Sequence, residues 1–347
     1  MACVWTNKRK AVEICGDTGQ YIAISHFDHP YITVYSFGIE GFDTKFDNPA
    51  QSPGSIGRGV AFSPSGDAVA VAIDSSPHIS AYLWGAAGFV VKVGNPAQAL
   101  GSAGQGVAFS PSGDAVAVAH SSFPRISAYL WGSEGFGARF PNPASPPGTQ
   151  ANGVAFSPSG DAVAVAHFGA PYVTAYPWSS EGFGTKFADP AQPIGSIGWG
   201  IAFSPTGDAV VIAHNSSPFV SAYPWSGAGF GTKLASPAIL PAGTVRGVAF
   251  SPAGDSIVLA HSNAPYITAY SWSSEGFGAK FDDPAILPTS TGNSVSFSSS
   301  GDAVVIAHNI SPYVTAYPWS SEGFGAKFDD PTTLPPNNAL SVAFGSS

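Results

Sequence analysis

Six histidines, His26, His120, His167, His214, His261 and His308, fall on one 47-residue grid that Ile73 alone interrupts. A ring of imidazoles is a candidate for metal chemistry. Strand spacing argues against it: at the end of a second strand each copy stands roughly 12 Å from a common axis and about 10 Å from the next. Ligands sharing one zinc must all lie about 2.1 Å from it. The reading adopted is a hydrogen-bonded spacer between neighbouring units, with no metal and no cofactor. A second grid carries Asp67, Asp114, Asp161, Asp208, Asp255 and Asp302. They lack the Asp-x-Asp-x-Asp-Gly pattern of a calcium loop, and their place after a Gly predicts turn hydrogen bonds instead. A third grid sets Trp131, Trp178, Trp272 and Trp319 shortly before Glu134, Glu181, Glu275 and Glu322. An aromatic face beside a carboxylate is what a weak, repeated sugar site needs, its copies adding avidity. Gly-x-Ser-x-Gly, His-Glu-x-x-His and Gly-rich phosphate-loop patterns are all missing from the sequence.

These residues are positioned by a repeat. The stretch Gly153-Val154-Ala155-Phe156-Ser157-Pro158-Ser159-Gly160-Asp161-Ala162-Val163-Ala164-Val165-Ala166-His167 recurs with a 47-residue period, giving units that start at Val12, Gly59, Gly106, Gly153, Gly200, Gly247 and Ser294. Such a period covering nearly the whole chain predicts one closed array, here residues 12–347 behind an N-terminal extension of residues 1–11. Each unit reads as four short strands separated by turn chemistry. In the fourth, strand a is 153–157, strand b 162–167, strand c 172–178 and strand d 183–187. Gly160 and its counterparts supply the positive φ of a tight hairpin.

Strand b places Val163 and Val165 on one face and Ala162, Ala164 and Ala166 on the other. A sheet apolar on both faces must be covered on both, and a chain without helical patterns offers only the neighbouring sheet as cover. Large faces against small ones, repeated around an axis, close a ring. The tally of strands then predicts its fastening. Ser341-Val342-Ala343-Phe344 is an eighth candidate for strand a, and Val12-Glu13-Ile14-Cys15 is the poorest copy. The closing strand, 341–345, is expected to complete the first unit.

Composition narrows the function. Charged residues are 10% of the chain, against roughly 25% in ordinary globular chains. A net charge of −9 with 13 basic residues argues against nucleic acid as a partner. Cys3 and Cys15 are too few for a disulfide framework. The Lys8-Arg9-Lys10 cluster has no apolar stretch after it, and no run approaches the roughly 20 apolar residues of a membrane helix. The expectation is a chain made in a cytoplasm without a signal peptide and without membrane contact.

The Ser-Pro-Ser-Gly-Asp hairpin followed by Val-Ala-Val-Ala resembles the repeats of WD40-like and YVTN-like β-propellers, over residues 12–347. It departs from true WD40 repeats in lacking Gly-His before strand a and Trp-Asp at the end of strand c. A weaker likeness, in style, is to the Gly/Pro/aromatic-rich repeats of tailed-phage structural proteins. The resemblance implies an all-β fold: a seven-bladed propeller of four-stranded antiparallel blades closed by the C-terminal strand. In that topology the b–c turns and the residues just before strand a share one face of the disc, and they vary most between units. Loops on a rigid scaffold are where recognition is usually placed. The first reading is therefore a non-enzymatic protein-binding or structural module, a phage or virion component, meeting its protein partner through Phe27, Asp28, Arg58, Phe123, Phe168, Trp199, Arg246 and Ile310. The alternative is a multivalent lectin binding glycans at the Trp–Glu pairs. A hydrolase of the propeller-lactonase kind stands third.

Overall fold

The computed structural model describes residues 19–346. They form seven sheets of four antiparallel strands, and there is no helix among them. Blade 4 is representative: strand a is Ala151–Phe156, b Ala162–His167, c Val173–Ser179 and d Gly182–Phe183. The hairpin between a and b follows from its residues. Gly160 has φ of 72°, a conformation open to glycine at no steric cost. Ser157 and Ser159 donate their hydroxyls to Asp161 Oδ1 at 2.8 and 2.6 Å, and the Ser157 hydroxyl accepts the Ala162 N–H at 3.0 Å. These bonds hold the Asp161 carboxyl below its usual range.

The two-faced strands pack as their alternation predicts. Val163 and Val165 meet Ala115, Ala117 and Ala119 of blade 3, while Ala162, Ala164 and Ala166 receive Val210 and Ile212 of blade 5. Trp178, 8% exposed, sits edge-to-face among Phe140, Phe156 and Phe183 with centroids 4.9–5.2 Å away. Pairs of this geometry contribute about 0.5–1.5 kcal/mol each beyond area burial. Tyr176 lies beneath and donates its hydroxyl to the Ser145 carbonyl at 2.8 Å, tying strand c to the connection from the previous blade.

Blade 1 is closed by the far end of the chain. Its strand a is Ala339–Ser346, paired with strand b, Gln20–His26, so that Val342 faces Ile24 and Phe344 faces Ile22. The latch is stitched on both sides by serines standing where other blades have glycine or alanine. Val342 and Phe344 donate N–H to the hydroxyls of Ser294 and Ser296, both at 3.3 Å, and Val60 N–H reaches the Ser341 hydroxyl at 3.4 Å. Residues 1–11, the cysteines and the Val12–Cys15 copy of strand a lie outside the described residues.

Two details depart from the expectation. Strand d spans five residues in blades 1, 2, 3 and 6 but two in blades 4, 5 and 7. The short ones face Pro177, Pro224 and Pro318 in strand c, where Ser36, Leu83, Leu130 and Ser271 stand in the others. Proline has no N–H to offer the ladder, and pairing stops there. The histidines, in turn, do not bridge blades. His167 Nε2 bonds the Thr174 hydroxyl at 2.9 Å within its own sheet, and His26, His120, His214, His261 and His308 do the same with the matching Thr or Ser.

Candidate functional site

The inner strands converge on the axis, and glycine sets how closely. A Cβ on Gly106, Gly153 or Gly200 would lie 2.6, 2.7 or 2.5 Å from the carbonyl oxygen of Asn152, Trp199 or Arg246 on the next blade. At these positions neighbouring strands a therefore touch through backbone, with no room for a side chain. Above this constriction the residues preceding each glycine fan outward around a cavity of about 470 Å³. Its wall is Arg58, Gln105, Asn152, Trp199, Arg246, Asn293 and Leu340.

Most of this ring is braced. Four wall residues reach the b–c loop of their own blade: Arg58 forms a two-pronged ion pair with Asp74, Gln105 donates to the Ser121 hydroxyl at 3.2 Å, Trp199 Nε1 donates to Asn215 Oδ1, and Asn293 donates to Asn309 Oδ1 at 2.6 Å. Asn152 bonds the Gly198 carbonyl at 2.8 Å. Arg246 breaks the pattern by leaning along the ring: Nη1 donates to Asn293 Oδ1 at 2.8 Å and the guanidinium stands 6.0 Å over the Trp199 ring. Its Nε is buried without a hydrogen-bond partner, and desolvation pushes its pKa down. Among the described residues no carboxylate pairs with it. The arrangement offers one uncompensated cation, amide donors and acceptors, and an indole, which together can hold a small, polar, oxygen-rich molecule.

Of the residues assigned to a partner-binding face, Arg58, Trp199 and Arg246 come together around this cavity. Phe168 supports it from behind, packed on Trp199 at 5.5 Å. Phe27, Phe123 and Ile310 stand exposed on b–c loops outside it, and Asp28 accepts a bond from Asn337 at 2.7 Å. The grid of positions preceding strand a is thus a concave site and not part of a flat contact face. Gln105, Asn152 and Asn293 belong to it too, and their signal was present in the sequence as polar variation at a fixed 47-residue step. Three of the four sugar-site pairs fail on burial. Trp178, Trp272 and Trp319 are 7–8% exposed between phenylalanines, whereas Trp131 is half-buried, with Phe109 and Phe136 edge-to-face on it. Glu181, Glu275 and Glu322 are exposed without an aromatic face to accompany them. Among the described residues, no group of three or more His, Cys, Asp or Glu is placed to hold a metal ion.

No family model and no curated protein matches the chain. The fold is similar to that of a candidate 6-phosphogluconolactonase from Bacteroides uniformis, with TM-score 0.71 and 16% identity over 94% of this chain and 100% of that one. A second candidate 6-phosphogluconolactonase, from Bacteroides fragilis, gives TM-score 0.73 at 12% identity over 94% and 98% of the two chains. The periplasmic gluconolactonase of Pseudomonas aeruginosa gives 0.72 at 16% over 94% and 99%. At this identity the shared property is the propeller fold. These neighbours correct the sequence expectation twice. They are described as lactonases and not as WD40 or phage proteins, and they stand against the expectation of a non-enzymatic, virion-associated module.

Proposed function

We propose that the chain is a propeller hydrolase of the lactonase kind, opening a sugar lactone seated in the axial cavity. The observation that carries this reading is Arg246, an uncompensated and partly desolvated cation on the wall of that cavity. A lactone carbonyl set against its guanidinium gains a donor where negative charge develops as water adds to the carbonyl carbon. Asp74 is bound on both oxygens by Arg58 and does not line the cavity, so the proton of that water passes to solvent. Expulsion of the ring oxygen, which recovers a proton, leaves the open hydroxy acid, one water consumed per ring. A cavity of about 470 Å³ is ample for one monosaccharide-sized ligand. The neighbours described as 6-phosphogluconolactonases and a gluconolactonase support the choice of substrate class.

The test is acid release at constant pH with glucono-δ-lactone and with 6-phosphogluconolactone. The full chain is expected to exceed the spontaneous rate on one of them, and Arg246→Ala to lose about 100-fold or more with an unchanged melting profile. No acceleration on either lactone overturns the proposal.

A further inference from the structure

Strand d is the rim of every blade, and blade 2 builds its rim differently from the rest. The outer hairpin there runs from strand c, Ile79–Gly85, through Ala86 and Ala87 into strand d, Gly88–Lys92. Three features coincide in it. Where Pro177, Pro224 and Pro318 cut their partner strands short, blade 2 has Leu83, which pairs with Val91, and strand d keeps its full five residues. At the turn position occupied by Glu40, Glu134, Glu181, Glu275 and Glu322 in five other blades, it has Ala87. In mid-strand, where blade 1 has Asp43 and Thr44 and the other five have Gly followed by Thr or Ala, it has Val90 and Val91.

The outcome is an apolar strand with an open edge. Val90 is 65% and Val91 52% exposed, and Ala86 and Ala87 are exposed beside them. From Ile79 to Val91 no residue is charged, and Lys92, the first charge reached, donates to the Ser52 carbonyl at 3.1 Å. Strand d is the last strand of its sheet, and among the described residues no strand pairs with its outer side. Natural rims discourage pairing by charge or by shortness. Each of the other six blades has an acidic residue in the outer hairpin, a two-residue strand d, or both. Blade 2 has neither.

Charge also points to what covers this edge. Each chain carries a net charge of −9, so a second copy is repelled least by the hairpin that has lost its carboxylate. A strand that meets its own copy antiparallel about a two-fold axis is complementary to itself. With the axis between Val90 and Val91, each valine stands opposite a valine of the other copy. Lys92 then falls opposite Phe89 and not opposite a second lysine, which avoids the penalty of like charges across a ladder.

We infer that the rim of blade 2 is a dimerisation edge, at which two copies of the chain pair Gly88–Lys92 antiparallel and join their blades into one eight-stranded sheet.

The test is sedimentation equilibrium of the full chain over a range of concentrations, with hydrogen exchange followed at the same concentrations. The mass should rise from one chain to two, and the amides of residues 88–92 should gain protection as it does, while those of the blade 6 counterpart, Gly276–Lys280, stay unchanged. Val91→Lys should weaken the dimer about 10-fold or more, and Val91→Thr, the residue found at this position in blades 1, 4 and 5, should weaken it less. Ala279→Lys, the same change in blade 6, should leave it intact. A chain that stays monomeric at every concentration overturns the inference and leaves the edge to a strand of some other protein. A dimer that Val91→Lys does not weaken, or one whose protection appears elsewhere, overturns it as well.

Discussion

At the hairpin end of the inner strands, six units carry a Ser–Asp pair bonded in the same way, from Ser63 with Asp67 to Ser298 with Asp302. At the axial end the same six strands start with Arg58, Gln105, Asn152, Trp199, Arg246 and Asn293. One end must build an identical turn in every blade, so its residues repeat. The other faces a cavity, where no backbone conformation dictates the side chain, and there the blades differ from one another. Uniformity marks what holds the ring together, and divergence marks what the ring holds.

Four measurements can break or sharpen that contrast. Deleting residues 341–347 removes Val342, Phe344 and the inner strand of blade 1, and the loss should be roughly 3–6 kcal/mol from side-chain burial. Calorimetry should record a clear fall in Tm, and an unchanged Tm would mean that the ring does not need its latch. Trp178→Ala, within the repeated framework, should cost about 3–5 kcal/mol in a denaturant titration.

Acid comes next. Burial pushes His26, His120, His167, His214, His261 and His308 from 6.5 down to about 4. Between those values the unfolded chain binds more protons than the folded one, so stability must fall as pH drops from about 6.5 toward 4. Each buried histidine adds about 1.4 kcal/mol per pH unit to that slope. His167→Gln should flatten the slope measurably, and an equal slope in the variant would contradict the burial argument. The smallest effect is expected at the axis: Arg246→Gln should change stability by no more than about 0.5 kcal/mol while impairing turnover. If it unfolded the chain as Trp178→Ala should, the division between framework and site would collapse.

Much of the framework can be read from the sequence because its rules are local. Gly160 specifies the hairpin, and the Val163/Ala164 alternation specifies a sheet covered on both sides. The fastening by Val342 and Phe344 follows from having one strand a too many. Less local features escape. Pro177 is visible in the sequence, but its effect on strand d depends on a cross-strand partner that periodicity does not reveal. His167 recurs in a way that suggests contact between blades, yet its hydrogen-bond partner, Thr174, lies seven residues on in the same sheet. For the cavity, Arg58, Trp199 and Arg246 stand out as unusual residues at one grid position, but concavity does not. It depends on how tightly Gly106, Gly153 and Gly200 draw the inner strands together, a property of the closed ring. Trp178 and Trp272 mislead for the complementary reason: their spacing relative to Glu181 and Glu275 says nothing about the phenylalanines that enclose them.

The pairing of Gln20–His26 with Ala339–Ser346 also has a consequence for biosynthesis. Some 319 residues, 339 minus 20, separate the starts of the two partners. At about 5–20 residues per second, a ribosome needs tens of seconds to deliver the second after the first. Throughout that interval the nascent chain carries an apolar strand with one bare hydrogen-bonding edge, the kind of surface that recruits chaperones or neighbouring chains.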